Sequence, residues 1–248
     1  MKIIIAPAKK MITDTDTFNY ETLPQYLDQT QQILNKLRTL SYSNAKRLWK
    51  CSDKIARPNF EQLQKLDLHR HLTPALLAFS GIQYQYMSPD LFTDPALDYV
   101  RQNLRILSGF YGILRPFDGI VPYRLEMQSK ISVNNSNNLY DFWKALIYSA
   151  LVTGSEPIVN LASQEYAKTI TPYLLPNQKF ITIVFGSLVD GKIRTKATLA
   201  KMARGEMVRY MAENNITEIK DIKKFSNPDW KLSTKLSTTE QIVFVYQK

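Results

Sequence analysis

Apolar residues along the chain fall into short continuous runs and longer helical spacings, separated by polar punctuation. Residues 2–6 carry Ile3, Ile4, Ile5 and Ala6 in a run stopped by Pro7, which predicts a buried strand. Residues 13–19 are polar and predict a loop. Leu27, Ile33, Leu34 and Leu37 recur at helical spacing, which predicts a helix over 23–40. Ser43 offers an N-cap for a second helix running to about Cys51. Pro58 and Asn59 then break the chain, with a short helix after them. Asp94 and Pro95 predict a helix start, an N-cap followed by proline at the first position. That helix runs through Tyr99, Val100, Leu104 and Leu107 into Gly109. Residues 134–138 (N-N-S-N-N) form a polar turn, and 139–151 read as one helix ending before Gly154.

The second half adds strands. Residues 158–161 are a short buried run, and 179–185 are rich in β-formers. Asp190-Gly191 signals a hairpin leading into 192–196. Residues 241–246 form a last strand, so strands at both termini are expected in one sheet. Without repeats, linkers or low-complexity tracts, the pattern predicts a single domain over residues 1–248. Its class is α/β (mixed α+β), with a mixed sheet and surrounding helices.

Composition narrows the class. Hydrophobic residues make up 44% and charged residues 22%, a globular balance rather than a disordered one. No apolar run approaches the ~20 residues that span a bilayer, and the N-terminal run is too short for a signal-peptide core. Cys51 is the single cysteine, so no intrachain disulfide forms and a reducing cytoplasm is the expected compartment. Net charge is +10, which favours an anionic partner, with nucleic acid first. The charge is concentrated: residues 192–235 hold eleven Lys and Arg against five Asp and Glu.

Two stretches combine that charge with unusual backbone chemistry. Residues 104–127 hold three of the eight glycines (Gly109, Gly112, Gly119) and Pro116 and Pro122. Arg105, Arg115, Arg124, Asp118 and Glu126 stand among aromatics there. Such density suits either a tight turn with solvated arginines or a shaped cleft wall. Residues 198–214 predict a helix with Leu199, Met202, Ala203, Met207 and Tyr210 on one face, and Lys201, Arg204 and Arg209 on the other. Glu206 falls in the apolar arc, where a carboxylate needs an arginine partner or a site to serve. Gly205 costs a helix ~1 kcal/mol relative to alanine, which close packing against another backbone would explain.

Familiar catalytic patterns are missing: no G-x-G-x-x-G, Walker loop, H-E-x-x-H or G-x-S-x-G. His69 and His71 make a poor metal site with one distant cysteine, and no E-x-x-H pair is present, so no metal or cofactor is expected. Lys9 follows the first strand, where ligands often sit in α/β sheets.

Several separated blocks carry a resemblance over nearly the whole length. They are Ala6-Pro7-Ala8-Lys9, Ser52-Asp53-Lys54-Ile55-Ala56, the long block at 107–127, Leu139 to Trp143, Asn160 to Tyr166, and Ala203-Arg204-Gly205 with Met207 and Arg209. In these the chain resembles the YaaA family of peroxide-stress proteins. It departs from the family pattern at Ala6, where serine is usual, and at Gln128 and Tyr86, where glycine is common. The resemblance implies a cantaloupe-like mixed fold with a positively charged cleft, DNA binding through that cleft, and a helix-hairpin-helix element. It also implies protection during peroxide stress through limited free iron and limited DNA damage. The candidate hairpin is 43–66 with its turn near 52–59; the alternative turn is 108–112.

Together these readings make double-stranded or structured DNA the expected partner, with no membrane and no obligate protein partner. Lys9, Lys54, Arg115, Arg124, Lys201, Arg204 and Arg209 are the expected phosphate contacts, and Tyr111 or Tyr123 would stack on a base. An enzyme acting on a nucleobase or nucleotide in the same cleft is the alternative, with Asp118, Tyr123 and Glu126 as its candidates. Direct iron sequestration is a third, with the poorest ligand set.

Overall fold

Strand β1 (Lys2–Ile5) buries all three isoleucines completely, and burial on both faces is why its run is continuous rather than alternating. The computed structural model describes residues 1–152 and 154–248. Helix α1 (Leu27–Arg38) follows, burying Ile33, Leu34 and Leu37 as its spacing requires. Helices α2 (Tyr42–Trp49) and α3 (Asp53–Lys65) form a pair joined by three residues. Ser41, not Ser43, caps α2, its Oγ accepting the Asn44 N–H at 3.3 Å. The chain does not break at Pro58, which sits inside α3 on its exposed face. Lys54, whose carbonyl loses its helical donor to this proline, is itself exposed. Asn59 Nδ2 also donates to the Ile55 carbonyl at 2.7 Å.

Next come β2 (Thr73–Pro74), α4 (Ala75–Ala78), α5 (Ile82–Met87) and α6 (Asp94–Asn103). Thr93 takes the N-cap position of α6, one residue before the expected Asp94. The helix does not continue to Gly109. Residues Leu104–Ser108 are β3, joined to α6 without a loop and parallel to β1 with Ile3 opposite Leu104. Local spacing fits a helix, but pairing with an already buried strand hides Leu104, Ile106 and Leu107 completely. Strands β4 (Gly112–Leu114) and β5 (Gly119–Ile120) complete the glycine-rich block. Gly112 takes φ +74°, and a Cβ there would stand 2.8 Å from the Trp143 ring.

The helix expected over 139–151 is two helices, α7 (Leu139–Trp143) and α8 (Leu146–Leu151), divided at Lys144 with φ 43° and ψ −132°. The break lets fully buried Trp143 donate its Nε1–H to the Gly109 carbonyl at 3.0 Å. Strand β6 (Ile158–Asn160), helix α9 (Gln164–Ala167), strands β7 (Phe180–Val189) and β8 (Lys192–Arg194), and helix α10 (Ala197–Glu213) follow. The β7–β8 hairpin turns on Asp190 and Gly191, both at positive φ, as that dipeptide predicts. Helix α11 (Ile219–Ile222) and strands β9 (Trp230–Leu232) and β10 (Gln241–Tyr246) end the chain.

The main sheet runs β4-β3-β1-β6-β7-β10-β9, with β8 paired to β7; β2 and β5 form a separate pair. Its central strands β3, β1, β6, β7 and β10 are parallel, and β4, β8 and β9 add antiparallel pairings. Both terminal strands lie in this sheet, over one contiguous apolar core. Among the described residues, no helix is long and apolar enough to cross a membrane.

Helix α10 lies directly on α5. A Cβ on Gly205 would stand 2.1 Å from the Gln83 carbonyl oxygen, so only glycine permits this approach. Gly205→Ala therefore destabilises the fold by about 2 kcal/mol or more despite alanine's better helix propensity. Urea unfolding checks this; an equal or higher midpoint would refute the contact.

Candidate functional site

The sheet places a crevice where ligands bind in open α/β folds. From β1 the chain crosses to β3 on one side, and from β6 it crosses to β7 on the other. The carboxyl ends of these two neighbours, at Ile5 and Asn160, therefore open beside a topological switch point. A cavity of about 440 Å³ sits there. Its lining includes the chain leaving β1, Ala6 to Lys10, with Ser163, Glu165 and Tyr166 after β6. The rest of the lining is Gly81 to Tyr84 at the start of α5, Tyr123 to Glu126 after β5, and Lys201 and Arg204 of α10.

Each charged group has a local reason for its place. The Gly205 contact presses α10 onto α5, and its neighbour Arg204 turns toward the cavity rather than outward as the helical wheel suggested. Burial pushes the Arg204 guanidinium below its ordinary pKa. Lys201, nearly one turn earlier, stays exposed at the rim. Arg124 follows Tyr123, whose ring stacks on Phe110 at 4.9 Å and whose hydroxyl shares a 2.7 Å hydrogen bond with Ser108 Oγ. Lys9 pairs with Glu126. Glu165 accepts the Gln128 N–H at 3.1 Å. Its carboxyl pKa is raised, chiefly by burial, with Glu126 adding repulsion against the pull of the Gln128 N–H and Lys9. The Ala6 backbone carbonyl accepts the Tyr84 hydroxyl at 3.0 Å.

Three buried donors here have no hydrogen-bond partner among the described residues: Gln83 Nε2, Arg124 Nε and Arg204 Nε. Gln83 is only 6% exposed.

Of the residues expected from sequence, Lys9, Tyr123, Arg124, Glu126, Lys201 and Arg204 meet at this cavity. The others do not line it. Tyr111 is fully buried beneath Phe110 and Tyr123, which removes it from any surface where a base stacks. Lys54 is exposed in the first turn of α3. Arg209 pairs with Glu213 at 2.8 Å. Arg115 and Asp118 line a separate hollow with Arg105 and Gln25. Asp118 is 1% exposed and organises its turn, accepting the Arg115 N–H at 2.8 Å and the Thr22 hydroxyl at 2.5 Å. Burial raises its pKa against those bonds. Glu206 finds Asn227 Nδ2 at 3.0 Å instead of an arginine. The candidate hairpin turn at 52–59 lies inside α3, and 108–112 is the β3–β4 turn; the helical pair turns at 50–52.

Gln83, Glu165 and Lys10 were missed as site residues. Glu165 stands inside one of the blocks that carried the family resemblance, but only the fold shows that it lines one cavity with Arg124.

The family model described as Peroxide stress protein YaaA matches residues 1–236. The chain belongs to this family. Its curated relatives include a UPF0246 protein of Lactiplantibacillus plantarum, 63% identical over 247 residues and covering all of both chains. Another, from Pediococcus pentosaceus, is 54% identical over 99% of this chain and 98% of its own. A third, from Limosilactobacillus reuteri, is 52% identical over 98% of each. The cavity is thus a feature of a YaaA-family member matched along nearly its entire length.

Two substitutions separate structural from functional carboxylates. Asp118→Asn lowers stability by about 1 kcal/mol, because the amide keeps the Arg115 N–H and can donate to Thr22 Oγ1 but loses the carboxylate's charge-assisted acceptance beside Arg115. Ligand binding at the main cavity stays within twofold in that variant; a large loss in a titration would return Asp118 to the functional site. Glu165 has a folded pKa above its unfolded value, so its favourable contribution is complete below the unfolded value and is lost as pH rises through the folded one. Glu165→Gln should match the parent near pH ~4 and melt at a higher temperature by pH ~7. Melting curves across pH test the sign; a parent more stable at neutral pH contradicts it.

Proposed function

We propose that this family member is a DNA-binding protein of the peroxide-stress response, acting in the cytoplasm and limiting oxidative DNA damage and free iron. The observation that carries the reading is the charge around one crevice: Lys9, Lys10, Arg124, Lys201 and Arg204 against Glu126 and Glu165. On a chain of net charge +10, such a basic cleft attracts a polyanion, and phosphate contacts alone give little sequence preference. A second surface supports the reading. The turn between α2 and α3 gathers Lys46, Arg47 and Lys50 around a shallow hollow, with Lys50 in the left-handed conformation where a helical hairpin commonly uses glycine. This pair is the best candidate for a helix-hairpin-helix element.

An enzymatic reading, on a nucleobase or nucleotide, is favoured by Glu165. A carboxyl with a raised pKa facing a concave site suits general acid chemistry. Product release from modified oligonucleotides that disappears in Glu165→Gln would establish it, and unchanged substrate with the parent protein leaves binding alone.

Duplex affinity, followed by fluorescence anisotropy, should fall steeply as salt rises. Lys201→Gln should reduce the slope of log K against log salt by about 0.9, the share of one phosphate contact. Affinity that stays flat with salt would sink the reading.

A further inference from the structure

Buried N–H donors are nearly always satisfied, yet Gln83 Nε2, Arg124 Nε and Arg204 Nε have no partner among the described residues, and the three side chains that carry them line the same cavity. They come from three separate segments: α5, the chain after β5, and α10. Their convergence is a product of the tertiary fold and not of neighbouring sequence. Leaving a guanidinium partly buried without an acceptor destabilises the free protein. A compact oxyanion in the cavity that these side chains line supplies acceptors to them as they turn toward it. Phosphate offers several acceptor oxygens, and arginine's planar fork matches it.

The rest of the cavity constrains what the phosphate is attached to. Glu165, and Glu126 beside its partner Lys9, only accept hydrogen bonds when ionised. The end of the ligand near them must therefore present donors, such as hydroxyls or an amino group. Pro7, Ile82 and Leu125 add apolar lining between the charged groups. At about 440 Å³ the space falls in the range of small-molecule sites, roughly 300–1,000 Å³, and admits one nucleotide rather than a duplex.

We propose that the β1–β6 cavity binds a single nucleoside monophosphate unit, its phosphate held by Arg124, Arg204 and Gln83 and its donor groups by Glu165 and Glu126. The unit is either a free nucleotide or a nucleotide swung out of a DNA strand; only the second source rests on the DNA-binding reading.

Calorimetry on the full chain tests this with inorganic phosphate, the four common ribonucleoside monophosphates and their unphosphorylated nucleosides. A second arm compares a fully paired duplex with the same duplex carrying one unpaired nucleotide. For a free ligand, at least one monophosphate binds tenfold tighter than both phosphate and its own nucleoside. For a strand ligand, the unpaired nucleotide improves duplex affinity at least tenfold. In either case Arg204→Met removes the gain while its melting temperature equals or exceeds the parent's, since an unpaired buried cation has gone; a purely structural arginine would lower it. The proposal is overturned if no monophosphate gains over phosphate and the two duplexes bind alike, or if Arg204→Met leaves the gain intact. Salt-dependent duplex binding that persists through that failure keeps the DNA-binding reading. Monophosphate binding without any duplex binding removes that reading and leaves the free-nucleotide site.

Discussion

The contact between α10 and α5 at Gly205 is the constraint on which the candidate site depends. It brings the two helices together until a single methyl group would collide with the Gln83 carbonyl. The same contact brings Gln83 and Arg204 to one cavity and leaves Lys201 at its rim. Glycine is unfavourable within a helix, so its presence in the middle of a long one reflects this closeness rather than local preference. The sheet supplies the opposite wall, because β1 and β6 send their connections in opposite directions and leave their carboxyl ends uncovered.

Charge in this cavity is held under strain from desolvation. Burial lowers the pKa of Arg204 and raises that of Glu165, so each is less favourable in its charged form than in water. A protein selected for stability alone would replace such groups with apolar ones. Both signs of charge line this cavity, with Lys9 paired to Glu126 among them. Asp118 shows the contrast. It is also buried with a raised pKa, but its oxygens are taken by Thr22 and the Arg115 backbone, and its role ends with the turn.

Residues 104–127 unite the two levels of organisation. Their glycines and prolines permit a hairpin, a Trp143 ring seated against Gly112, and a second short strand within a compact length. Their cations do not act together. Arg105 and Arg115 face one hollow, while Arg124 emerges past the Tyr123 stack into the main cavity. The chain reverses between them, so proximity in sequence separates these arginines in space.

Local patterns were enough to determine β1, α1, the Asp190-Gly191 hairpin, the C-terminal strand and the mixed α/β class. In each, burial or turn chemistry agrees with the residues' own preferences. The motif blocks were specific enough to indicate the family, and Gly205 signalled a close approach without revealing its partner. Tertiary structure decided the rest. Pairing with β1 turned a helical spacing into β3, Trp143 and Lys144 divided a helix in two, and a solvated face let Pro58 stay inside α3. It also moved Arg204 inward, hid Tyr111 and brought Glu165 and Arg124 to one cavity. Sequence periodicity reports how a segment divides between core and solvent, whereas a site is made by segments far apart in the chain whose meeting no local pattern encodes.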